Sequence, residues 1–302
     1  MTRHPQGILA TCCVPWDEKE HLLEEMFRAA IRKTIHDGFT QIYIFGTAGE
    51  GHAVDNGRFR DVAAVFAEET RAEGILPQVG VIAQSTATYV EKIALAHDLG
   101  FRMFQLSLPS WGRLNDAELL TFFQDVCGAF PESRFLHYNL GRAARVLLPL
   151  DYRRIADHVP NLVATKITGA DLRNAMDLLA LVPELQHFFV ELYPAVCMHG
   201  ECSLLAATAP MYPSRVRELY EHGRAGRWEA LARLHGELSA MDREIMAPVR
   251  GLGLMDGAYD KLRLRLGGMP DFPMRLLSPY ASFSEAQYEQ CAQRYFQRTL
   301  AR

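Results

Sequence analysis

Eight short stretches with strand-like composition alternate with amphipathic helical stretches over the first three quarters of the chain, and this order restricts the possible folds more than any other feature. Such alternation predicts βαβ units with parallel strands. The predicted strands cover residues 8–14, 41–45, 76–82, 103–108, 134–139, 162–167, 187–192 and 202–208. The predicted helices between them cover residues 18–37, 57–73, 89–99, 116–130, 150–158 and 170–181.

Eight strands favour a closed (β/α)₈ TIM barrel, because an open doubly wound sheet usually has about five to seven. Two helices carry start signals: Asn115 stands at a capping position and Pro149 at a first-turn position. After Pro213 the pattern is purely helical, over residues 214–222, 227–241, 260–266 and 285–299. We therefore predict a barrel over residues 1–225 that carries the active site, and a C-terminal helical region over residues 226–302.

The composition points to a small-molecule partner. The 302 residues carry 32 Lys and Arg against 36 Asp and Glu, with the signs interspersed, so no surface suited to nucleic acid or anionic lipid is indicated. No apolar run approaches the roughly 20 residues that span a membrane, and no signal h-region follows Met1. These features predict a cytoplasmic protein that binds neither nucleic acid nor membrane.

The six cysteines form no CxxC pair and are expected to be reduced and mostly buried. Cys197, His199 and Cys202 are close enough in sequence to suggest a metal, but a fourth ligand is missing. We therefore expect no metal, and a metal-dependent aldolase is kept as an alternative.

Lys166 is the main candidate for chemistry. Period-2 alternation puts Ala164, Lys166 and Thr168 on one face of the sixth predicted strand. If that face points inward, burial lowers the lysine pKa, and a change from about 10.4 to about 7 costs the ammonium form roughly 4 to 5 kcal/mol. Such an amine can attack a ketone near neutral pH. The structural alternative is an outward lysine whose stem lies over a helix.

Tyr138 lies near the end of the preceding strand, and polar residues at the carboxyl ends of barrel strands gather at one mouth. Alternation places Tyr138 with Leu136 on one face and His137 on the other. A phenol there could move protons to and from a carbinolamine. It could equally be a core tyrosine with a satisfied hydroxyl.

A glycine-rich turn, residues 45–52, follows the second strand. Its backbone amides could hold a carboxylate, as anion-binding nests do. Glycines at 46, 49 and 51 do not follow the G-x-G-x-x-G order, so a dinucleotide site is not indicated. For Glu50 in this turn we favour a structural hydrogen bond over a role as a base.

Together these segments resemble the pyruvate-dependent class I aldolase family that includes dihydrodipicolinate synthase and N-acetylneuraminate lyase. The family's Gly-Thr-Thr-Gly-Glu loop appears as Gly46-Thr47-Ala48-Gly49-Glu50, its Tyr-Asn strand end as Tyr138-Asn139, and its Pro-Asn-x-x-x-x-Lys segment as residues 160–166. The similarity in layout runs over about residues 7 to 225. Each motif alone is weak, but their combined order and spacing are fairly specific.

The resemblance implies a role for each matching residue. Lys166 would form the Schiff base, Tyr138 would be the proton shuttle, and Thr47 would be its hydrogen-bond partner. Gly46, Thr47 and Ala48 would hold the keto-acid carboxylate. The family also implies a homotetramer built as a dimer of dimers, and the iminium removes the need for a metal or an organic cofactor.

Departures from the family pattern concern specificity. Ala48 replaces the second threonine, Trp111 stands near the place of a relay tyrosine, and Arg142 fits the substrate-binding arginine only with a shifted spacing. Arg142 or Arg145 could still bind a substrate carboxylate, or both could be solvated loop residues. The segment 191–196 lacks the family's glycine-aspartate turn.

These departures favour an aldolase or dehydratase acting on a sugar-derived or aromatic keto acid over the lysine-biosynthetic reaction. A non-catalytic keto-acid-binding protein on the same scaffold is the alternative, motivated by Ala48 and Trp111.

Overall fold

Eight parallel strands close into one barrel in the computed structural model, which describes residues 2–300. The strands are β1 (Ile8–Thr11), β2 (Gln41–Ile44), β3 (Leu76–Val81), β4 (Met103–Leu106), β5 (Arg134–Asn139), β6 (Leu162–Ile167), β7 (Gln186–Phe189) and β8 (Ser203–Leu205). They pair in chain order, and β8 closes the barrel on β1, where Leu9 lies beside Leu205. The predicted (β/α)₈ barrel is confirmed.

Helices separate the strands and continue beyond the last one. They are α1 (Glu24–His36), α2 (Asn56–Glu69), α3 (Thr86–Asp98), α4 (Asp116–Gly128), α5 (Pro149–Ala156), α6 (Leu172–Leu181), α7 (Tyr193–Val196), α8 (Pro213–Arg224), α9 (Trp228–Ile245), α10 (Asp256–Leu266) and α11 (Glu285–Leu300). Both predicted start signals are confirmed, because Asn115 forms a capping box with Glu118 and Pro149 opens α5.

Two helix predictions were wrong. The first helix begins at residue 24 rather than 18, because Trp16 and Leu22 form an antiparallel bridge around a turn in which Glu20 has a φ of 62°. A four-residue helix, α7, lies between β7 and β8 where none was predicted. It is too short to produce a periodic signal in the sequence.

The amino-terminal end of the barrel is closed by polar side chains. His4 Nε2 lies 3.1 Å from Gln41 Oε1, and Gln105 donates to Gln78 Oε1 over 2.8 Å. Burial lowers the pKa of His4 to about 4, so the ring is neutral at physiological pH. Since this end is filled, the open end of the barrel lies at the carboxyl ends of the strands.

Glu50 ties the loop after β2 to the C-terminal helices. Its side chain is 1% exposed, and Oε1 accepts hydrogen bonds from Lys261 Nζ at 2.6 Å and Trp16 Nε1 at 3.0 Å. Its Oε2 accepts a bond from the Leu277 N–H at 2.6 Å. The carboxylate therefore has the structural hydrogen bonds that we favoured for it, and it connects three distant parts of the chain.

The C-terminal helices contact one another and also the barrel. Helix α9 lies along α8, α11 packs on α9, and α10 carries the Lys261 that reaches Glu50. The division at residue 225 stays a prediction. The six cysteines all carry free thiols, and within residues 2–300 no helix is both long and apolar enough to cross a membrane.

We expect Lys261→Met to lower the free energy of unfolding by about 3 to 5 kcal/mol, because it leaves the buried Glu50 carboxylate without its charge partner. Urea denaturation measures the change. As a control, Arg153→Met removes exposed ion pairs with Asp157 and Glu184 and should cost no more than about 1 kcal/mol. Equal losses in the two variants would contradict this role of the buried pair.

Candidate active site

A cavity of about 360 Å³ opens at the carboxyl ends of the strands. Its walls come from two parts of the chain, the barrel strands with their loops and one face of α10. The barrel contributes Thr11, Tyr43, Thr47, Ala48, Tyr138, Arg142, Lys166, Thr168, Val190, Glu191, Leu205, Ala206 and Ala207. Helix α10 contributes Asp256, Tyr259, Asp260 and Arg263.

Lys166 reaches the cavity from β6 and is 1% exposed. Its Nζ lies 3.8 Å from the ring centroid of Tyr138 and 4.0 Å from that of Tyr43. Burial lowers the pKa of Lys166 to about 7, although the carboxylates of Asp260 and Asp256 act in the opposite direction. A substantial share of the amine is therefore neutral and nucleophilic at neutral pH.

Tyr138 lies beside Lys166 because their Cα atoms are paired across β5 and β6. Its hydroxyl is 3.4 Å from Thr47 Oγ1, and either oxygen can donate. Burial raises the pKa of Tyr138, so the phenol stays protonated at neutral pH. The neighbouring His137 points away and meets the Tyr152 hydroxyl at 2.7 Å, as the alternation of faces predicts.

The loop after β2 can approach Lys166 only because residue 46 is glycine. A Cβ there would lie 2.7 Å from the Tyr43 ring and 3.2 Å from Lys166 Nζ. Two backbone bonds hold the turn, from the N–H of Glu50 to the Thr47 carbonyl and from that of Gly51 to the Gly46 carbonyl.

The N–H groups of Thr47 and Ala48 are available to a ligand. Both residues line the cavity, and within residues 2–300 neither backbone N–H donates a hydrogen bond to the protein. Adjacent unpaired amides of this kind suit a carboxylate. The methyl side chain of Ala48 adds no donor, so the backbone would supply this contact.

The two candidate arginines are both engaged. Arg142 lines the cavity and forms a bidentate pair with Asp256, at 2.9 Å and 3.0 Å. Arg145 lies outside the cavity lining and bonds to Asp116 and Asp151, at 2.7 Å each. Of these two arginines, only Arg142 can contact a ligand in the cavity, and its positive charge is already paired with the Asp256 carboxylate.

The structure does not bring Trp111 to the cavity of its own chain. This side chain is 95% exposed, because the N–H groups of Ser110 and Trp111 both donate to Gln84 Oε1 and hold the loop on the surface. The expectation that Trp111 binds substrate therefore finds no support within one chain.

Sequence reasoning missed the cavity face of α10. Asp256 and Asp260 are four residues apart and both reach the cavity, together with Tyr259 and Arg263. Burial raises the pKa of Asp260 to about 6. Asp256 lay outside the predicted helix, and Asp260 was its first residue. Two acids at helical spacing are the only signal that could have drawn attention to them.

The segment with Cys197, His199 and Cys202 supplies no metal site in the described part of the chain. No three His, Cys, Asp or Glu side chains in it are grouped so as to hold an ion. Burial raises the pKa of both thiols, whereas a thiol must lose its proton to bind a metal. The metal-dependent alternative gains no support from this segment.

A buried amine of lowered pKa, a neighbouring phenol and unpaired amides at the mouth of a (β/α)₈ barrel define a site that can form a carbinolamine with a carbonyl compound. A comparison with known families agrees with this description. The chain belongs to the dihydrodipicolinate synthetase family, whose model matches residues 4–293.

Individual relatives are distant. The chain is 26% identical to a 4-hydroxy-tetrahydrodipicolinate synthase of Exiguobacterium sp., over 59% of this chain and 60% of that enzyme. It is 24% identical to an N-acetylneuraminate lyase of Salmonella newport, over 61% of this chain and 62% of the lyase. The chain thus spans about three fifths of the length of each.

Among solved structures, a prophage protein of the dihydrodipicolinic acid synthase family from E. coli K12, in complex with pyruvate, superposes with a TM-score of 0.86. The match covers 98% of this chain and 99% of that one at 16% identity, and it establishes a shared fold.

We expect the low pKa of Lys166 to make stability rise with pH between about 7 and 10, since the unfolded chain binds a proton there that the folded chain does not. This one group contributes a slope of about 1.4 kcal/mol per pH unit. In urea denaturation across this range, Lys166→Met should remove that slope. Lys19→Met, at an exposed lysine, should keep it, and equal slopes in both variants would contradict the lowered pKa.

Proposed function

We propose that this protein is a Schiff-base-forming lyase, an aldolase or a dehydratase, that acts on pyruvate or another 2-keto acid. The observation that carries the proposal is the buried Lys166 amine with its pKa lowered to about 7. Membership of the dihydrodipicolinate synthetase family and the fold shared with a protein solved in complex with pyruvate support it.

The loop after β2 would hold the keto acid. The N–H groups of Thr47 and Ala48 would bind the carboxylate, and the absence of a side chain at Gly46 leaves room beside Lys166 Nζ. The keto carbon would then face the amine. Holding the reacting atoms in this orientation lowers the barrier to attack.

Lys166 and Tyr138 would carry out imine formation. The neutral Nζ attacks C2, an N–C bond forms as the C=O π bond breaks, and a proton moves from the nitrogen to the oxygen to give the hydroxyl of a carbinolamine. Tyr138 donates a proton to this hydroxyl, which leaves as water, and the nitrogen becomes an iminium. The Tyr138 phenolate then regains a proton from solvent. Thr47 Oγ1, 3.4 Å from the Tyr138 oxygen, gives the proton a further carrier.

The iminium then withdraws electrons from the bonds at C3. In an aldolase reaction the C4 hydroxyl gives its proton to a base, the electron pair of the C3–C4 bond forms the enamine, and an aldehyde leaves; protonation of the enamine at C3 restores the iminium. In a dehydratase reaction a base removes a C3 proton to form the enamine, and the C4 hydroxyl takes up a proton and leaves as water, which gives an unsaturated iminium. In both reactions water hydrolyses the final iminium and releases the keto acid and the Lys166 amine.

The cavity favours a sugar-derived keto acid over a substrate with a second carboxylate, so we do not propose a true dihydrodipicolinate synthase. Arg142 is already neutralised by Asp256, and Asp260 and Glu191 add acceptors to the walls. Carboxylates accept hydrogen bonds from hydroxyl groups and repel other carboxylates. The homotetramer and the cytoplasmic location stay predictions.

We expect Lys166→Ala to abolish the adduct that pyruvate forms with the wild-type protein under sodium borohydride, because Lys166 is the one lysine that lines the cavity among residues 2–300. Intact-protein mass measures the adduct, and peptide mapping locates it. As a control, Lys19→Ala removes an exposed lysine and should trap pyruvate like the wild type.

An adduct on Lys166→Ala would rule out this assignment. The alternative of a non-catalytic binding protein predicts trapping with no turnover of any hydroxylated keto acid. Steady release of pyruvate or of a dehydrated product from a panel of sugar-derived keto acids would exclude that alternative.

Tyr138→Phe should slow imine formation by about 10²- to 10⁴-fold, since the variant keeps the ring beside Lys166 but lacks the acidic hydroxyl. The rate of borohydride-trapped adduct formation measures this effect. The final extent of trapping should be unchanged, because equilibrium binding does not need the phenol. An unchanged rate would show that Tyr138 is a wall of the cavity rather than a proton shuttle.

A further inference from the structure

Helix α10 directs an unusual carboxyl group at the catalytic cavity. Asp260 is 8% exposed and lines the cavity that contains Lys166. Asp256, one helical turn earlier, lines the same cavity but is occupied by both Nη atoms of Arg142. The two acids share a helix face, but only the Asp256 oxygens already accept hydrogen bonds from an arginine.

Asp260 has unused hydrogen-bonding capacity. No hydrogen bond to its carboxylate is made by any residue in the described range 2–300. Its nearest cation, Arg263 Nη1, lies 3.8 Å away, beyond hydrogen-bond distance, and Arg263 also pairs with Asp242 at 3.4 Å. Because Asp260 keeps an ion pair with Arg263 but accepts no hydrogen bond from the described residues, its carboxylate oxygens can still interact with a ligand in the cavity that it lines.

Asp260 and the Lys166 amine interact electrostatically without forming a direct ion pair. The Asp260 carboxylate is the stronger of the two that raise the pKa of Lys166, yet within residues 2–300 no carboxylate oxygen lies within 4.0 Å of Lys166 Nζ. Both groups line the same cavity, and a keto acid bound to Lys166 would extend its carbon chain into that cavity, where the Asp260 carboxylate forms part of the wall.

We propose that Asp260 is the base that removes the C3 proton from the Lys166 iminium and later returns it. In this step the C3–H bond breaks, its electron pair forms the C2=C3 double bond of the enamine, and the C2=N electrons move to nitrogen. The proton moves to a carboxylate oxygen of Asp260, and the reverse step restores it. This inference rests on the proposed function and adds a second proton-transfer residue to that site.

Asp260 suits this step better than Tyr138 does. Burial raises the pKa of Tyr138, so its hydroxyl stays protonated at neutral pH and is not a base, whereas burial brings the pKa of Asp260 only to about 6. Above that pH the carboxylate is available as a base. The charged or titratable groups with an electrostatic influence on Asp260, or influenced by it, are Lys166 of β6, Tyr43 of β2, Tyr138 of β5, Cys13 after β1, and Asp256 and Arg263 of α10.

The test uses pyruvate, whose methyl protons exchange with deuterium through the enamine. Proton NMR in D₂O at saturating pyruvate measures this exchange. Asp260→Asn should lower the exchange rate at least about 100-fold. It should still form the borohydride-trapped adduct on Lys166, since the substituted residue does not take part in imine formation. Asp61→Asn, at an exposed position of α2, should exchange at the wild-type rate.

The pH dependence of the exchange rate gives a second readout, which would not change if Asp260 had only a structural role. The wild-type exchange rate, divided by the fraction of Lys166 that is trapped as the adduct at each pH, should rise as pH increases through about 6, where Asp260 loses its proton, and Asp260→Asn should lack this rise. An Asp260→Asn variant that traps pyruvate and exchanges within about threefold of the wild type, with the same pH profile, would overturn the proposal.

Two further outcomes separate this inference from the proposed function. A wild-type protein that traps no keto acid on Lys166 would refute the proposed function and this inference with it. If the wild type traps pyruvate but Asp260→Asn does not fold, the pH profile of the wild-type exchange rate provides the test. A flat profile between pH 5 and 7 would then overturn the role of Asp260 alone.

Discussion

The carboxylate of Glu50 accepts hydrogen bonds from the indole of Trp16, the ammonium of Lys261 and the backbone of Leu277, and both walls of the cavity depend on this arrangement. Moving a carboxylate and an ammonium out of water is expensive, and the cost is offset only when geometry and hydrogen bonds are nearly complete. Here completion requires the loop after β2, the segment after β1 and the C-terminal chain to meet at one point. The turn that begins at Gly46 and the helix that carries Asp260 are thereby fixed relative to each other.

Two opposing effects set the pKa of the Lys166 amine. Burial between the rings of Tyr43 and Tyr138 disfavours the ammonium form, and the carboxylates of Asp256 and Asp260 favour it. A direct ion pair would have kept the amine protonated and unreactive. A cavity without acids would have lowered its pKa further. Because the two carboxylates act on Lys166 without a direct ion pair, its pKa stays at about 7, and a substantial share of the amine is neutral at physiological pH.

The barrel could be predicted from the sequence because its signals are local. The strands at 134–139 and 162–167 were predicted to the residue, and Lys166 and Tyr138 were placed together because adjacent parallel strands end at one mouth. The positions of Trp111 and Asp260 could not be predicted in this way. Hydrogen bonds that the backbone N–H groups of Ser110 and Trp111 donate to Gln84, distant in sequence, decide where Trp111 lies. The face of α10 that lines the cavity is determined by how the C-terminal helices pack, and the spacing of hydrophobic residues in the sequence does not reveal this packing.

Helix α10 supplies one wall of the cavity without taking part in the barrel. Its residues 256, 259, 260 and 263 face the ligand space, while the hydrogen bonds of the eight strands form without it. The buried amine and its neighbouring phenol therefore belong to one set of elements, and the other wall of the cavity belongs to another. Substitutions on this single helical face would therefore change the shape and charge of the cavity while leaving the barrel and its strand hydrogen bonds intact.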